Sequence, residues 1–213
     1  MFTGIIESIC SVKSVGRSAG AMALTVDLAE LAAGCNIGDS IAVSGVCLTI
    51  TRLDGSSAAF DVSGETLSKS TLGKLTTSSQ VNIERAIKAD GRFGGHFVLG
   101  HIDGTAAIKK VDMHGDFADI TFSAERDLLG QMVVKGSVAI DGISLTIASM
   151  GDTGFTVAVI PETLKKTTLG KAKAGDIVNI ETDMIIKTVK KQLGRILPKE
   201  QKLTVEKLRQ LGF

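Results

Sequence analysis

Between positions 46 and 50, Leu48 and Ile50 alternate with Cys47 and Thr49, and further on Leu145 and Ile147 alternate with Ser144 and Thr146. Side chains along a strand point to opposite faces in turn. The aliphatic residues therefore fill a core, while Cys47 and Thr49, like Ser144 and Thr146, share the opposite face. Stretches 40–51, 58–62 and 81–85 are short, rich in β-branched residues and bounded by Gly, Asp or Ser, which predicts strands. One or two helical turns are expected at 27–33 and again at 65–72. Near the end, Ile185, Val189, Leu193 and Ile196 recur at three and four, the spacing of one helical face. Lys187, Lys190 and Lys191 fall on the other faces, and Pro198 ends or kinks that helix. Thr204 is placed to cap a second short helix carrying Val205, Leu208 and Leu211, closed by Gly212. The apolar stripe has two readings, docking onto its own domain or joining another copy of the chain.

The strand pattern occurs twice. Displaced by 97 residues, positions 41–50 fall on 138–147, 65–74 on 162–171 and 81–84 on 178–181, with 17 of 24 pairs identical and no gap. In the same displacement Thr3-Gly4-Ile5 falls on Gly100-His101-Ile102. The period is too long for a solenoid repeat of about 20–50 residues. It predicts two similar domains, 1–90 and 91–183, each a small closed or nearly closed β-barrel, followed by a helical tail at 184–213.

Composition narrows the function. The 213 residues are 44% hydrophobic and 22% charged, enough to build a sizeable core. Lys and Arg number 24 against 23 Asp and Glu, so nothing in the charge favours nucleic acid as a partner. Cys10, Cys35 and Cys47 are odd in number, which argues against a disulfide framework and for a reducing compartment. The opening Met1-Phe2-Thr3-Gly4-Ile5-Ile6-Glu7 has no basic region ahead of its apolar run. No segment reaches the ~18 apolar residues of a membrane span. A cytoplasmic protein that does not enter membranes is expected.

Familiar catalytic motifs are missing: no phosphate-binding glycine loop, no nucleophile elbow and no zinc-binding helix. His96 and His101 lie in a glycine-rich stretch, 94–104, but are five apart, so a single element does not present both to a metal. No metal site is expected. Glycines there let backbone approach a ligand closely. Cys47 with Thr49, and Ser144 with Thr146, could be solvated surface; recurring at one offset, they also read as polar rims of two equivalent pockets. Lys135 and Asp141 stand just before the second rim. They are either surface charges or a pair able to move protons beside a ligand.

The opening Met1-Phe2-Thr3-Gly4-Ile5, the Gly94-Gly95-His96 and Gly100-His101-Ile102 stretches, Asp141-Gly142-Ile143-Ser144-Leu145-Thr146 and Ile160-Pro161-Glu162-Thr163-Leu164 together resemble the riboflavin synthase family, α-chain type. The resemblance runs from residue 1 to about 190. It implies an all-β fold of two six-stranded Greek-key barrels in tandem plus a C-terminal α-helix. It also implies a transferase that dismutates two molecules of 6,7-dimethyl-8-ribityllumazine by four-carbon transfer, without metal or redox cofactor. The family forms a homotrimer through the terminal helices, with each site between barrels of neighbouring chains.

Carried over by position, the first pocket uses Gly4, Ile5, Ile6, Cys47, Leu48 (through its backbone), Thr49, Asp61, Val62, Ser63, Gly64, Glu65 and Thr66. The second uses Gly100, His101, Ile102, Lys135, Ser144, Leu145, Thr146, Ile160, Pro161, Glu162, Thr163, Leu164 and Lys165. His101 is expected to lead the acid–base chemistry with Ser144, Asp141 and Cys47 assisting. His96 is expected to shape the glycine-rich stretch, and Phe2 to cover the first ligand. The competing reading is a non-catalytic lumazine- or flavin-binding antenna protein of the same fold. Those relatives lose the paired-histidine stretch and the Ile-Pro-Glu-Thr signature, both present here.

Overall fold

Short strands of alternating burial can hide their apolar faces by closing on themselves, and that is what the computed structural model shows over the residues it describes, 1–196. The first barrel contains β1 (Ser8–Ser18), β2 (Ala21–Asp27), β3 (Ser40–Val43), β4 (Val46–Asp54), β5 (Ser57–Ser63) and β6 (Gln80–Arg85). The second contains β7 (Gly104–His114), β8 (Phe117–Ser123), β9 (Ser137–Ile140), β10 (Ile143–Gly151), β11 (Gly154–Val159) and β12 (Ile177–Thr182). Both close in the same antiparallel order, β1-β2-β5-β4-β3-β6 and its counterpart β7-β8-β11-β10-β9-β12. Closure leaves no open sheet edge.

Each barrel has its own core. Leu24, Ile41, Leu48, Ile50, Phe60 and Ile83 fill the first. Ile120, Phe122, Leu145, Ile147, Phe155 and Ile180 fill the second, where Phe122 and Phe155 stack with centroids 5.2 Å apart. Each such side chain contributes roughly 1.5–3 kcal/mol on burial. Leu48 and Leu145 are thus core residues, as the alternation requires.

Register refines the repeat. The strand β1 has a bulge between Val12 and Ser14, and β7 has one between Ile108 and Lys110, a displacement of 96 rather than 97. From Ser40 onward the displacement is 97. The extra residue of the second copy lies in the connection after β8. Gly4 therefore corresponds to Gly100, and Ile5 to His101, one place away from the ungapped alignment.

Local elements also differ from expectation. The stretch 40–51 is two strands, because Ser44 and Gly45 turn the chain with φ of 44° and 81°. Asp141 and Gly142 do the same at 46° and 82°. The expected turn at 27–33 is a 3-10 turn, Ala29–Gly34. The one at 65–72 divides into α1 (Gly64–Lys69) and a 3-10 turn, Thr71–Lys74. Two further helices, α2 (Arg126–Leu129) and α3 (Pro161–Lys166), follow β8 and β11.

The terminal helix α4 (Met184–Ile196) is tied to the second barrel by its lysines. Lys187 Nζ donates to both oxygens of Asp103 at 2.9 and 2.7 Å, and Lys190 Nζ to the carbonyls of Gly130 and Met132. Ile185, Val189 and Leu193 stay exposed at 52%, 51% and 47%, so the stripe does not dock on its own barrel. The side chain of Ile196, Pro198 and the second helix expected near Thr204 lie outside the described residues.

Candidate functional site

The site is built where each barrel lends a segment to the other. Ahead of β1, Met1–Thr3 runs antiparallel to residues 96–98: Phe2 and Val98 exchange backbone bonds, and His96 N–H donates to Thr3 O at 3.1 Å. Phe2 is fully buried with Ala42, Val98 and Ala139 between the barrels. This corrects the expectation that its ring covers a ligand, because the ring is already packed as interface core.

Beyond that ribbon the two segments cross. Ser144 N–H, in the second barrel, donates to Gly4 O at 2.8 Å, and Cys47 N–H, in the first, donates to Gly100 O at 3.0 Å. Gly4 and Gly100 have φ of +79° and +81°, the left-handed region that glycine alone enters freely. A Cβ on Gly4 would lie 2.6 Å from Ser144 Cβ, and one on Gly100 would collide with Cys47 Cβ. Beyond the glycines, Ile6 packs against the second core and Ile102 against the first. The grouping of Gly4–Ile6 with Cys47, and of Gly100–Ile102 with Ser144, is thus reversed in space.

Two buried glutamates hold these segments. Glu84, at the end of β6, accepts from Thr3 N–H, Thr3 Oγ1 and Gly4 N–H at 2.6, 2.8 and 2.9 Å. Glu181, at the end of β12, accepts from Leu99, Gly100 and His101 N–H at 2.7, 2.8 and 3.1 Å. Burial raises both carboxyl pKa values, and the backbone donors pull against it. Neither glutamate stood out in the sequence beyond the repeated Val-Asn-Ile-Glu.

Around Ser144 the second barrel gathers chemistry that the first lacks. Ser144 Oγ lies 2.7 Å from His96 Nδ1. His96 is buried, and its Nε2 has no hydrogen-bond partner among the described residues. Desolvation lowers its pKa, with the Asp183 carboxylate working in the opposite sense, so the ring is held neutral. A neutral imidazole on a hydroxyl is a proton-transfer pair. His101 is exposed and bonds through its backbone; its ring makes no hydrogen bond to Ser144, Asp141 or Cys47. Sequence reasoning put His96 in a shaping role, because its contact with Ser144 depends on a crossing that no local pattern reveals.

Asp141 sits at the turn into β10 and accepts from Asn179 N–H at 2.8 Å. The residue keeps some exposed surface, but its carboxyl lies deep among packed atoms, and desolvation pushes its pKa to about 7. Lys135, at φ +66°, is exposed and forms no ion pair with Asp141 among the described residues, so the pairing considered for them is absent. Cys47, half-buried with a free thiol, takes in the first barrel the place of Ser144 in the second. Thr49 and Thr146 are exposed on the same strand faces as Cys47 and Ser144.

The remaining candidates form a second rim on each barrel. Asp61 is exposed on β5 and Val62 is core. Ser63 caps α1, accepting from Thr66 N–H, with Gly64 as the first helical residue; Glu65 pairs with Lys69 on the surface. In the second copy Ile160 is exposed, Pro161 starts α3, Glu162 pairs with Lys166, and Leu164 packs on the core. Thr163 is half-buried and Lys165 exposed.

Comparison with known proteins agrees with this duplicated architecture. The family model described as the lumazine binding domain matches twice, at residues 3–86 and 99–183. Riboflavin synthase of Actinobacillus pleuropneumoniae is 40% identical, and that of Bacillus subtilis 39%, each over 100% of both chains. Riboflavin synthase of Escherichia coli is 38% identical over 92% of this chain and 93% of its own. Among solved structures, LumP complexed with 6,7-dimethyl-8-(1'-D-ribityl) lumazine superposes with a TM-score of 0.78 at 21% identity, and LumP complexed with riboflavin with 0.80 at 22%. Each covers 85% of this chain and 99% of the other, a likeness of fold. With two matched repeats and full-length relatives near 40% identity, the chain belongs to the riboflavin synthase family.

Proposed function

We propose that this chain is a transferase that converts two molecules of 6,7-dimethyl-8-ribityllumazine into riboflavin and 5-amino-6-ribitylamino-uracil. One molecule gives a four-carbon unit to the other. The observation that carries this is the reciprocal crossing, which sets Cys47 and Ser144 in equivalent positions against Gly100 and Gly4. Joining two identical molecules calls for two like pockets. Holding both substrates in contact removes up to ~7–11 kcal/mol of barrier otherwise spent on encounter and orientation.

In this reading one pocket comprises Cys47, the Leu48 backbone, Thr49 and residues 61–66, with Gly100–Ile102 crossing in. The other comprises Lys135, Ser144–Thr146 and residues 160–165, with Gly4–Ile6 crossing in. Backbone groups and the hydroxyls of Thr49, Ser144 and Thr146 read the polar edge of the ring system. Asp61, Glu65, Glu162 and Thr163 serve the ribityl hydroxyls. The reaction needs a proton removed from the C7 methyl of the donor and a nucleophile at C7 of the acceptor. His96 takes the proton from Ser144 or from water beside it, and Asp141, titrating near neutrality, exchanges protons at the adjacent turn. His101 and Cys47 act at the ligand edge.

The two sites of one chain belong to different barrels, and a neighbouring copy completes each by presenting its opposite barrel. The exposed stripe on α4 supports a homotrimer joined there. The three free cysteines support a cytoplasmic setting. No described helix is long and apolar enough to cross a membrane.

The decisive experiment mixes purified protein with the lumazine and follows riboflavin absorbance. Ligand binding without turnover would instead favour the antenna reading. His96→Gln is expected to lower the single-turnover rate about 10²–10⁴-fold, with binding nearly unchanged. A rate close to wild type would remove the His96–Ser144 pair from the chemistry, and the same assay on His101→Gln tests that ring.

A further inference from the structure

The glutamates at the ends of β6 and β12 are buried carboxylates that the reaction does not consume. Glu84 is 4% exposed and Glu181 2%. A buried carboxylate is costly unless donors surround it. Here each receives three, all from a segment that has no strand partner at those groups. The held segment then reaches the opposite barrel: Thr3-Gly4 ends on Ser144, and Gly100-His101 ends on Cys47. Without the carboxylate, three donors in each segment lose their acceptor, and the glycine carbonyl is free to drift from the strand it meets.

Resting on the assignment of the two pockets above, we propose that Glu84 and Glu181 are crossed positioning residues. Glu84, in the first barrel, sets the geometry of the Ser144 site, and Glu181, in the second, sets that of the Cys47 site. Flanking contacts repeat the device. Glu7 accepts from Arg85 N–H and Asp103 from Thr182 N–H, so each crossing segment is pinned on both sides of its glycine.

The test uses local reporters that need no substrate, so its outcome does not depend on the catalytic reading. Cys10 and Cys35 are buried while Cys47 is half-buried, so iodoacetamide labelling of the folded full-length chain reports on Cys47. The imidazole resonances of His96 report on the Ser144 site. Glu181→Gln is expected to speed Cys47 alkylation about tenfold and leave the His96 signals in place. Glu84→Gln is expected to shift the His96 signals and leave Cys47 alkylation unchanged. Each variant should also lower kcat by roughly 10- to 100-fold, as a small misplacement does, with KM changed less. Movement of each reporter by the glutamate of its own barrel, of both reporters by either variant, or of neither, overturns the proposal. Where a glutamine variant does not fold, Glu84→Asp and Glu181→Asp keep the charge but withdraw it by one methylene. They must give the same crossed pattern.

Discussion

At the scale of single residues, Asp141 is the group whose ionisation the fold opposes most clearly. Its pKa rises from 3.8 to about 7 through desolvation, despite the N–H of Asn179. Because the folded value exceeds the unfolded one, its contribution to stability is fully present below about pH 4 and is lost as pH climbs through about 7. Glu84 and Glu181 shift in the same direction, so the wild-type profile alone does not isolate Asp141. Asp141→Asn does, since its amide oxygen still accepts from Asn179. Urea unfolding at several pH values should show wild type losing stability relative to the variant between pH 4 and 7, by a few kcal/mol at most. Parallel profiles would refute this assignment. The alternation rule found Ser144 and Cys47, and the repeat made them a matched pair. It gave no sign of His96 beside Ser144, because that contact joins residues 48 apart through a crossing segment. An ungapped comparison also misplaced Gly4 by one residue, since the inserted residue lies in a loop with no identity to mark it.

At the scale of elements, strand existence was legible and strand ends were not. Period-two burial identifies a strand but not where the chain turns: Ser44 does not announce a positive φ, whereas Asp141-Gly142 is a common two-residue hairpin signal that the alternation reading passed over. The terminal helix shows the converse. Its period was clear, and the choice between its two readings depended on which face the barrel takes. The lysines exclude the first of them, docking of the stripe on its own barrel. Lys187 on Asp103 and Lys190 on the carbonyls of Gly130 and Met132 fasten the polar side, leaving Ile185, Val189 and Leu193 outward. An apolar row of this kind in water favours self-association. Val189→Asp should therefore reduce the sedimenting mass to that of a monomer while far-ultraviolet circular dichroism stays unchanged. If the sites are shared between neighbouring copies as proposed, it should also abolish riboflavin formation, each site then lacking its second barrel. An unaltered mass would end the assignment of this face to assembly.

On the scale of the whole molecule, the two barrels are related by an approximate two-fold exchange, and two asparagines lie at its centre. Asn82 gives its amide N–H to Asp141 O and Thr168 Oγ1 and accepts from Thr168 N–H. Asn179 donates to Ser44 O and accepts from Thr71 N–H, so each barrel's last strand grips the other barrel's turns. Both side chains are fully buried, and the turns they join bring Gly45 and Gly142 into backbone contact. Glycine is required there because a Cβ on Gly45 would meet Gly142 N at 2.6 Å. Each barrel has a separate core, so the cooperativity of the chain depends on this junction, on the Phe2–Val98 cluster and on the crossing segments that carry Ile6 and Ile102 into the opposite cores. Replacing Asn82 by Ala removes three hydrogen bonds and leaves buried partners unpaired, at a cost of about 1–3 kcal/mol for each partner group. The double variant Asn82→Ala/Asn179→Ala should thus turn one calorimetric transition into two, one per barrel, with the melting of neither core lost. The same loosening lets Gly4 slide from Ser144 and Gly100 from Cys47, so activity should fall at temperatures where both barrels remain folded. A single transition with undiminished turnover would mean that the Phe2–Val98 ribbon and the crossing segments couple the barrels without the asparagines, which merely fill the space between.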